Sequence, residues 1–277
     1  MELLITGRGT SGSWAIRGVQ LGQAIRAEVV PNAKNVGRYD LAVLVKRATH
    51  DLLQRLHRAN VRIIWDVVDA WPQPIGNDWD SARCLDWLAE QMKAIRPAGI
   101  MAATQAMAKD CERFGVPVLA LPHHARPGIR KNPIRPIKVV GYEGGEKYIT
   151  RWRPVIESEC ASRGWQFVTQ PAELADVDII LALRDAGGYA PRNWKSNVKL
   201  ANAQGSGTPV ICCREAGYLE TQSGAERWAD TPDELREAFD SLESTADRID
   251  ASRRLASAAP RIESLATTYL QWLQSRF

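Results

Sequence analysis

The 277-residue sequence has no uninterrupted apolar run long enough to cross a bilayer, which argues against a transmembrane protein. Its first residues pass from Met1 through a short apolar stretch at residues 3–5 into glycines, without the basic start and longer apolar core of a secretory signal. With 45% hydrophobic and 25% charged residues, the composition is also not that of a disordered chain. We therefore expect a soluble globular protein that stays in the cytoplasm.

Cysteine and histidine are both scarce. The five cysteines form an odd set without the spacing of metal ligands, and Cys212 and Cys213 lie inside an apolar run. The four histidines do not complete a ligand pattern with them. The sequence therefore predicts reduced, mostly buried thiols and no structural metal.

Acidic residues are missing from one long stretch of the chain. The net charge is only +4, but all of the excess lies in residues 1–127, which hold 16 basic and 12 acidic side chains. The five basic residues from Arg126 to Lys138 follow without an acid between them. A polyanionic partner would suit this half of the protein, although ordinary scatter of surface charge is the simpler interpretation.

Short apolar runs alternate with amphipathic segments along the chain, and this alternation occurs twice, as is typical of parallel α/β sheets. Residues 122–136 lie between the two sets; they are rich in proline and basic side chains and lack an apolar period, which indicates a linker. The first half has six predicted strands, at residues 3–6, 27–30, 41–45, 61–65, 99–102 and 116–121. The second half has four, at residues 137–141, 166–169, 177–183 and 209–213.

The predicted fold class is α/β, with two doubly wound, Rossmann-like domains that face each other across a cleft. We assign residues 1–125 to an N-terminal domain, 126–136 to the linker, 137–260 to a C-terminal domain and 261–277 to a final helix. Ligands of such sheets bind in the crevice beyond the carboxyl ends of the strands. Functional residues are therefore expected in the loops at that edge.

The first of these loops is rich in glycine and serine. Gly9, Ser11 and Gly12 follow the first predicted strand and precede a helix, so backbone N–H groups could approach a ligand closely at the helix N-terminus. The loop matches neither the dinucleotide fingerprint nor the phosphate-binding loop of the nucleoside triphosphatases. A turn shaped only for tight packing is an equal alternative.

Two aspartates follow the strand predicted at residues 61–65. Asp66 and Asp69 are expected to emerge at the crevice, where a carboxylate could accept the proton of an attacking hydroxyl group. Strand-end aspartates often only cap a turn, so each has a structural alternative. The secondary candidates for proton transfer are His50, after the strand at residues 41–45, and His123 and His124 at the domain junction, although a lone histidine in an α/β protein is more often structural.

The most specific segment is KSNVKLANAQGSGTPVI, residues 195–211. It resembles the donor-site helix, glycine turn and strand of GT-B glycosyltransferases of the large sucrose-synthase-like group, glycosyl transferases group 1, in which the run E-A-x-x-x-G-x-P-V-V is usual. Asn202, Ala203, Gly207, Pro209 and Val210 fall on that run in register. The resemblance extends over most of residues 137–277, whereas the first half is similar in architecture only.

The resemblance implies that the C-terminal domain binds a nucleotide sugar, with UDP-sugar as the expected donor substrate and no tightly bound cofactor. It also implies that the final helix packs back on the N-terminal domain. A diphosphate needs positive side chains and helix N-terminal amides. The predicted donor-binding residues in this half are Arg184, Lys195, Ser196, Lys199, Asn202, Glu215, Gly217 and Tyr218.

Two positions depart from the pattern of the group. Asn202 stands where a ribose-binding glutamate is usual, although an asparagine can still hydrogen-bond a ribose hydroxyl. Residues 141–145 carry no arginine after the strand glycine, where the group has one. Glu215 or Glu220, just beyond the strand at residues 209–213, could supply the missing carboxylate.

The expected activity is transfer of a sugar to a hydroxyl acceptor, either a glycan or a small molecule. The alternative acceptor is a hydroxymethylated pyrimidine in DNA, favoured by the basic first half and by a chain as compact as those of phage enzymes. A flipped base could then stack on Trp71 or Trp79. A sugar-nucleotide epimerase of the same fold is the alternative without an acceptor.

Overall fold

The computed structural model describes residues 2–69, 79–185 and 187–277. A parallel sheet of six strands forms the first domain, in the order β2-β1-β3-β4-β5-β6. The strands are β1 (Leu3–Gly7), β2 (Glu28–Val29), β3 (Leu41–Val45), β4 (Arg62–Val68), β5 (Gly99–Ala102) and β6 (Val118–Ala120). Each of the six strands overlaps the range predicted for it. Their residues are almost wholly apolar in β3 and β5, as expected of strands covered on both faces.

Helices connect the strands of this sheet. A π-helix (Trp14–Gln20) runs on into α1 (Leu21–Ala24), and α2 (His50–Arg58), α3 (Ser81–Ile95) and α4 (Gln105–Glu112) follow. The predicted helix starts at Thr49 and Thr104 are both capped, because each threonine hydroxyl accepts a hydrogen bond from a backbone N–H three residues on.

The second domain is a parallel sheet of five strands in the order β11-β10-β9-β7-β8. Its strands are β7 (Val139–Tyr142), β8 (Gln166–Thr169), β9 (Ile179–Ala182), β10 (Val210–Cys212) and β11 (Arg227–Trp228). Four of them confirm predictions from the sequence, and β11 is a two-residue edge strand without a clear apolar signal. The predicted class of two Rossmann-like domains is confirmed.

Seven helices belong to the second half of the described chain. They are α5 (Arg153–Ser162), α6 (Tyr189–Trp194), α7 (Val198–Ser206), α8 (Ala216–Thr221), α9 (Pro232–Ser241), α10 (Thr245–Ala258) and α11 (Ile262–Arg276). Two 3-10 turns occur at Glu146–Tyr148 and Leu174–Asp176. Gly207 ends α7 in the left-handed conformation at φ 71°, which glycine adopts without strain.

Two helices of the second half pack on the first domain. Ala190 and Trp194 of α6 are buried in the first core, and the Trp194 indole N–H donates to Asp110 on α4 at 2.8 Å. From α11, Ala266, Tyr269 and Leu273 join the core beside β1 and β3. The two domains are therefore joined by more than the linker, and α6 lies in the range assigned to the C-terminal domain while packing in the N-terminal core.

The linker is tied to the second domain by its own basic side chains. Arg126 forms an ion pair with Glu143, Arg130 with Asp176 at 2.6 Å, and Arg135 with Asp178 at 2.7 Å. Lys131 donates to the backbone carbonyl of Gly205 at 2.6 Å. Most of the acid-free run therefore meets acceptors that come from elsewhere in the chain.

Among the described helices, none combines the length and apolar character that a bilayer span requires.

Candidate functional site

A cavity of about 500 Å³ lies in the cleft between the two sheets. Both domains line it, through loops at the carboxyl ends of their strands, where ligands of doubly wound sheets bind. The residues that line it from the first domain include Ser11, Gly12, Ser13, Gln20, Lys46, Val68, Asp69, His123 and His124. Those after the domain junction are Arg126, Glu143, Gly144, Ser196, Val198, Lys199 and Asn202.

The glycine-rich loop contributes part of one wall. Ser11 and Gly12 line the cavity, and a Cβ built on Gly12 would meet no atom within 4 Å, so this backbone faces open space. Gly9 is different, because its φ is +82° and a Cβ there would lie 2.4 Å from Cβ of Pro31. Gly9 therefore shapes the turn, and it does not line the cavity.

Two strained residues end neighbouring strands at the cavity. Lys46 follows β3 with φ +62°, and Val68 ends β4 with φ +52°. A positive φ is a genuine outlier for a β-branched residue, and such strain concentrates at functional sites. The register of β4 against β5 also shifts between Asp66 and Val68. Lys46 and Asp69 lie next to these distortions at the edge of the sheet, where their side chains form an ion pair.

Asp69 is held between two ammonium groups. Lys195 Nζ lies 2.8 Å from Asp69 Oδ2, and Lys46 pairs with the other carboxylate oxygen. Burial by itself raises the pKa of Asp69, but the charges of Lys195 and Lys46 outweigh it and hold this pKa well below the usual range. Asp69 is therefore a permanent anion and a weak base, and its predicted role as the catalytic base stays a prediction.

Asp66 is fully buried and does not line the cavity. Its Oδ2 lies 3.0 Å from Nε of the buried Arg17, which also donates to the backbone carbonyls of Leu121 and Pro122. Burial raises the pKa of Asp66 and the Arg17 charge opposes this rise. The environment favours a structural role, because a base must reach the hydroxyl that it deprotonates.

Two of the other predicted acceptor-side residues, His50 and Trp79, do not line the cavity. His50 is an exposed residue at the start of α2, and its ring lies 2.7 Å from the Gln54 amide nitrogen. Trp79 is buried against Trp87, with ring centroids 6.3 Å apart, so its faces are not open to a stacking base. Trp71 lies outside the described residues.

On the donor side, Lys199 stands at the start of α7. Its Nζ donates to the Tyr142 hydroxyl at 2.9 Å and lies 4.1 Å from the centre of that ring. Burial, helped by the nearby charge of Arg184, lowers the pKa of Lys199 to about 7. Ser196 lines the cavity beside it. Lys199 and the residues at the N-terminus of α7 thus line the same space, an arrangement that suits an anion.

Asn202 is paired with a carboxylate that the sequence did not single out. Its Nδ2 donates to the Glu143 oxygens at 3.2 and 3.0 Å, and its Oδ1 accepts from the Arg126 backbone N–H at 3.0 Å. Glu143 follows β7 and lines the cavity. A carboxylate therefore lies beside position 202, but it comes from the loop after β7 and not from α7 itself. The position of Glu143 just after a predicted strand was the one sequence feature that could have identified it.

Arg184 and Glu215 lie in a second, neighbouring cavity of about 310 Å³. Arg184 Nε donates to Glu215 Oε1 at 2.6 Å, and the other Glu215 oxygen is buried without a hydrogen-bond partner among the described residues. The charges of Arg184 and Glu215 also act on Lys199, which lines the cleft cavity. Arg184 lowers the pKa of Lys199 and Glu215 raises it. The two residues are close to the proposed donor side without lining the cleft itself.

Gly217 and Tyr218 line neither of these two cavities. A Cβ on Gly217 would lie 2.4 Å from the Lys195 carbonyl oxygen, so glycine lets α8 approach the turn before α7. Tyr218 is buried in the second core. Gly217 thus packs against the backbone of residues 195–197, and Tyr218 belongs to the core of the second domain. Direct contact of either residue with a donor stays a prediction.

Histidines at the domain junction complete the cavity. His124 Nε2 lies 2.8 Å from Gln20 Oε1, and burial lowers its pKa to about 4. Burial also lowers the pKa of His123 well below its ordinary value, with the Arg17 charge adding to the effect. Both rings are therefore neutral at physiological pH. The described residues contain no group of three or more His, Cys, Asp or Glu side chains arranged to hold a metal ion.

Comparisons with known proteins give matches only among solved structures. No protein-family model and no curated protein matches the sequence. HepE from Anabaena in complex with UDP and glucose aligns with a TM-score of 0.67 at 13% identity, over 99% of this chain and 100% of that one. The fold is GT-B. A second HepE complex, with UDP-glucose, aligns equally well, at 12% identity over 99% of both chains.

Two further GT-B structures are similar to this chain. The sucrose-phosphate synthase from Thermosynechococcus elongatus aligns with a TM-score of 0.58 at 13% identity, over 86% of this chain and 74% of that one. The UDP-GlcNAc 2-epimerase from Neisseria meningitidis, bound to UDP-GlcNAc, aligns with a TM-score of 0.54 at 10% identity, over 99% of both chains. The chain thus shares its fold with proteins of more than one activity, a sucrose-phosphate synthase and an epimerase among them.

Proposed function

We propose that this protein is a glycosyltransferase that transfers a sugar from a nucleotide sugar to a hydroxyl group of a glycan or small molecule. The observation that carries the proposal is the cleft cavity between the two Rossmann-like domains. Ser196, Val198 and Lys199, at the N-terminal end of α7, line this cavity together with the carboxylates Glu143 and Asp69 and with Lys46. The positive groups suit the diphosphate of a nucleotide sugar, and the carboxylates suit its hydroxyl groups.

The diphosphate is proposed to lie against Lys199 and the N-terminus of α7. Amides at a helix N-terminus and an ammonium group stabilise the negative charge, which grows as the diphosphate leaves. Ser196 can add a hydroxyl donor at the same wall. Arg184 and Glu215 act from the second cavity on the charge of Lys199.

The nucleoside is proposed to lie beside Asn202 and Glu143. Ribose offers two neighbouring hydroxyl donors, and the Glu143 carboxylate can accept a further hydrogen bond beyond those from Asn202 and Arg126. UDP-glucose is the first donor to test, because HepE is seen in complex with it. Its sugar would then extend toward Asp69 and the domain junction.

An epimerase of the same fold is the competing function, since the similar UDP-GlcNAc 2-epimerase covers the chain equally. Such an enzyme converts its nucleotide sugar without an acceptor. Identity of fold cannot separate the two, because function depends on the site. The distinction therefore requires product analysis.

The test begins with thermal shifts in the presence of UDP, UDP-glucose and UDP-GlcNAc, since a ligand that binds the folded state raises the Tm. Donors that bind are then incubated with the protein, with and without a panel of hydroxyl acceptors, and the products are separated by mass. Acceptor-dependent release of UDP with a glycosylated product supports the proposal. Conversion of the donor to an isomer in the absence of acceptor would show an epimerase instead.

A further inference from the structure

One buried nitrogen atom in the cleft has no hydrogen-bond partner among the residues that the structure describes. The His123 side chain lines the cavity, the residue is only 2% exposed, and its Nδ1 accepts or donates no hydrogen bond among the described residues. Leaving such a group unsatisfied is costly, because the hydrogen bonds that it made with water are not replaced. An unsatisfied buried nitrogen in a residue that lines a cavity is explained if a ligand supplies the missing hydrogen bond.

The backbone of His123 is fixed on both sides. The side-chain amide of Asn197 accepts from the His123 N–H at 2.7 Å and donates to the His123 carbonyl at 3.1 Å. Asn197 is itself fully buried at the residue that precedes α7. His123 is thereby held directly beside the N-terminus of α7, although it belongs to the first domain.

The ring is a neutral hydrogen-bonding group. Burial, with the charge of Arg17 adding to it, lowers the pKa of His123 well below its ordinary value, and the opposing charge of Asp69 does not outweigh this, so the ring is unprotonated at physiological pH. A neutral imidazole offers one donor and one acceptor. It therefore suits a hydroxyl group, which can act in either sense, better than a phosphate.

The adjacent histidine is not equivalent. His124 lines the same cavity, but its Nε2 is bonded to Gln20 within the first domain. Its hydrogen bond is made without a ligand. His124 thus provides a matched control, one residue away, in the same strand-to-linker junction and with the same side chain.

We propose that Nδ1 of His123 hydrogen-bonds a hydroxyl group of the sugar carried by the nucleotide donor and so positions that sugar for transfer. This inference rests on the proposed function, which has the diphosphate at the N-terminus of α7. The sugar is joined directly to the diphosphate, and His123 is the residue that Asn197 ties to that helix end from the opposite domain. The hydroxyl therefore meets the imidazole immediately beyond the phosphates.

The test compares UDP with UDP-glucose, which differ by the sugar, by calorimetric titration of variants at position 123. His123→Ala and His123→Gln should leave the affinity for UDP within about twofold of wild type. Their affinity for UDP-glucose should fall about tenfold, as expected for one lost hydrogen bond to a buried group. His123→Asn should retain most of the UDP-glucose affinity, because the asparagine amide occupies the place of Nδ1 whereas that of glutamine lies nearer Nε2. His124→Asn serves as the control and should leave the ratio of the two affinities unchanged.

The outcomes separate this inference from the function on which it rests. A wild-type protein that binds neither UDP, UDP-glucose nor UDP-GlcNAc overturns the proposed function and the role of His123 together. A wild type that binds UDP-glucose, with a folded His123→Ala variant that binds it equally, overturns the role of His123 alone. An equal loss for UDP and UDP-glucose also overturns it, because the contact would then be with the nucleotide or with the fold. Melting curves of each variant establish that it is folded.

Discussion

Lys195 and Asp69 join the two domains directly across the cleft, with Nζ 2.8 Å from Oδ2 and side chains that are 10% and 17% exposed. Lys195 precedes α7, Asp69 follows the strained end of β4, and Lys46 holds the second carboxylate oxygen. One anion thus balances two cations where the sugar is proposed to lie. The pair couples the position of the donor-side loop to that of the acceptor-side loop.

Removal of the Asp69 charge should destabilise the protein. Asp69→Asn removes the carboxylate that pairs with two largely buried ammonium groups, and we expect a loss of about 3 kcal/mol in the free energy of unfolding. Urea titration followed by circular dichroism measures it. Asp176→Asn is the matched control, because the Arg130–Asp176 pair is 60% and 53% exposed and should contribute below about 1 kcal/mol.

The same variant tests the predicted catalytic role of Asp69. The lowered pKa of Asp69 makes it a weak base, so Asp69→Asn should reduce turnover through altered positioning by about tenfold, far less than the loss of an essential base. Asp66→Asn should mainly lower the stability of the protein, because Asp66 pairs with the buried Arg17 and does not line the cavity. A fall in turnover of 1,000-fold or more in folded Asp69→Asn, at unchanged donor affinity, would contradict this expectation and restore Asp69 as the base.

Lys199 should make donor binding depend on pH. Its pKa is lowered to about 7, so the ammonium form that attracts a diphosphate is the major species below pH 7 and the minor one above it. Affinity for UDP-glucose should therefore fall as the pH rises from 6 to 8. UDP-glucose is preferred to UDP here because its diphosphate has no ionisation in this range. Calorimetric titration at several pH values measures the slope.

Two substitutions at position 199 isolate this effect. Lys199→Ala should weaken UDP-glucose binding by roughly tenfold at pH 6 and abolish the pH dependence, because it removes a charge-assisted contact. Lys199→Arg should keep a positive charge at every pH and so bind with little pH dependence. If the slope persists in folded Lys199→Ala, another group titrates and the role of Lys199 is wrong.

Glu143 should recognise ribose in place of the glutamate that position 202 lacks. Glu143→Gln keeps the size of the side chain but replaces a carboxylate acceptor by a carboxamide, and UDP affinity should fall about tenfold. The matched ligand is 2′-deoxy-UDP, which lacks one of the two hydroxyls. The variant should lose much less affinity for the deoxy ligand than for UDP, and equal losses for both would exclude a contact with that hydroxyl.

The sequence predicted the fold well because its signals are local. Apolar runs, the capping threonines Thr49 and Thr104 and the glycine at 207 each act within a few residues, and the structure has the corresponding elements. The packing of α6 against the first domain could not be predicted from the sequence. This helix has only 6 residues. Its Trp194 donates a hydrogen bond to Asp110, which lies 84 positions away in the sequence.

Charge pairs across the chain explain why the site was predicted only in part. The ends of the strands pointed to the crevice, and six of the predicted residues line the cleft cavity there: Asp69, Ser11, Gly12, Ser196, Lys199 and Asn202. Nothing local distinguishes Asp69 from Asp66, because the difference is whether Lys195 or Arg17 approaches. Glu143 likewise acquires meaning only from Asn202, 59 positions away.

The DNA acceptor depends on basic residues that the structure finds paired. Arg126, Arg130 and Arg135 meet Glu143, Asp176 and Asp178, so the linker retains little uncompensated charge with which to follow a phosphate backbone. Counterion release from several phosphates would make DNA affinity fall steeply with salt. We expect instead weak binding of duplex DNA with a shallow dependence on salt, and no sugar transfer to it.

Fluorescence anisotropy with a labelled duplex at several salt concentrations measures that dependence, and a transfer assay uses the same duplex with and without hydroxymethylpyrimidine. Arg130→Ala tests the linker, since it removes an exposed pair without touching the cleft cavity. Its binding curve should coincide with that of wild type at every salt concentration. Tight binding with a steep salt slope that Arg130→Ala flattens, together with sugar transfer to the modified duplex alone, would mean that DNA is the acceptor, because ion pairs within the protein would then have yielded to phosphates.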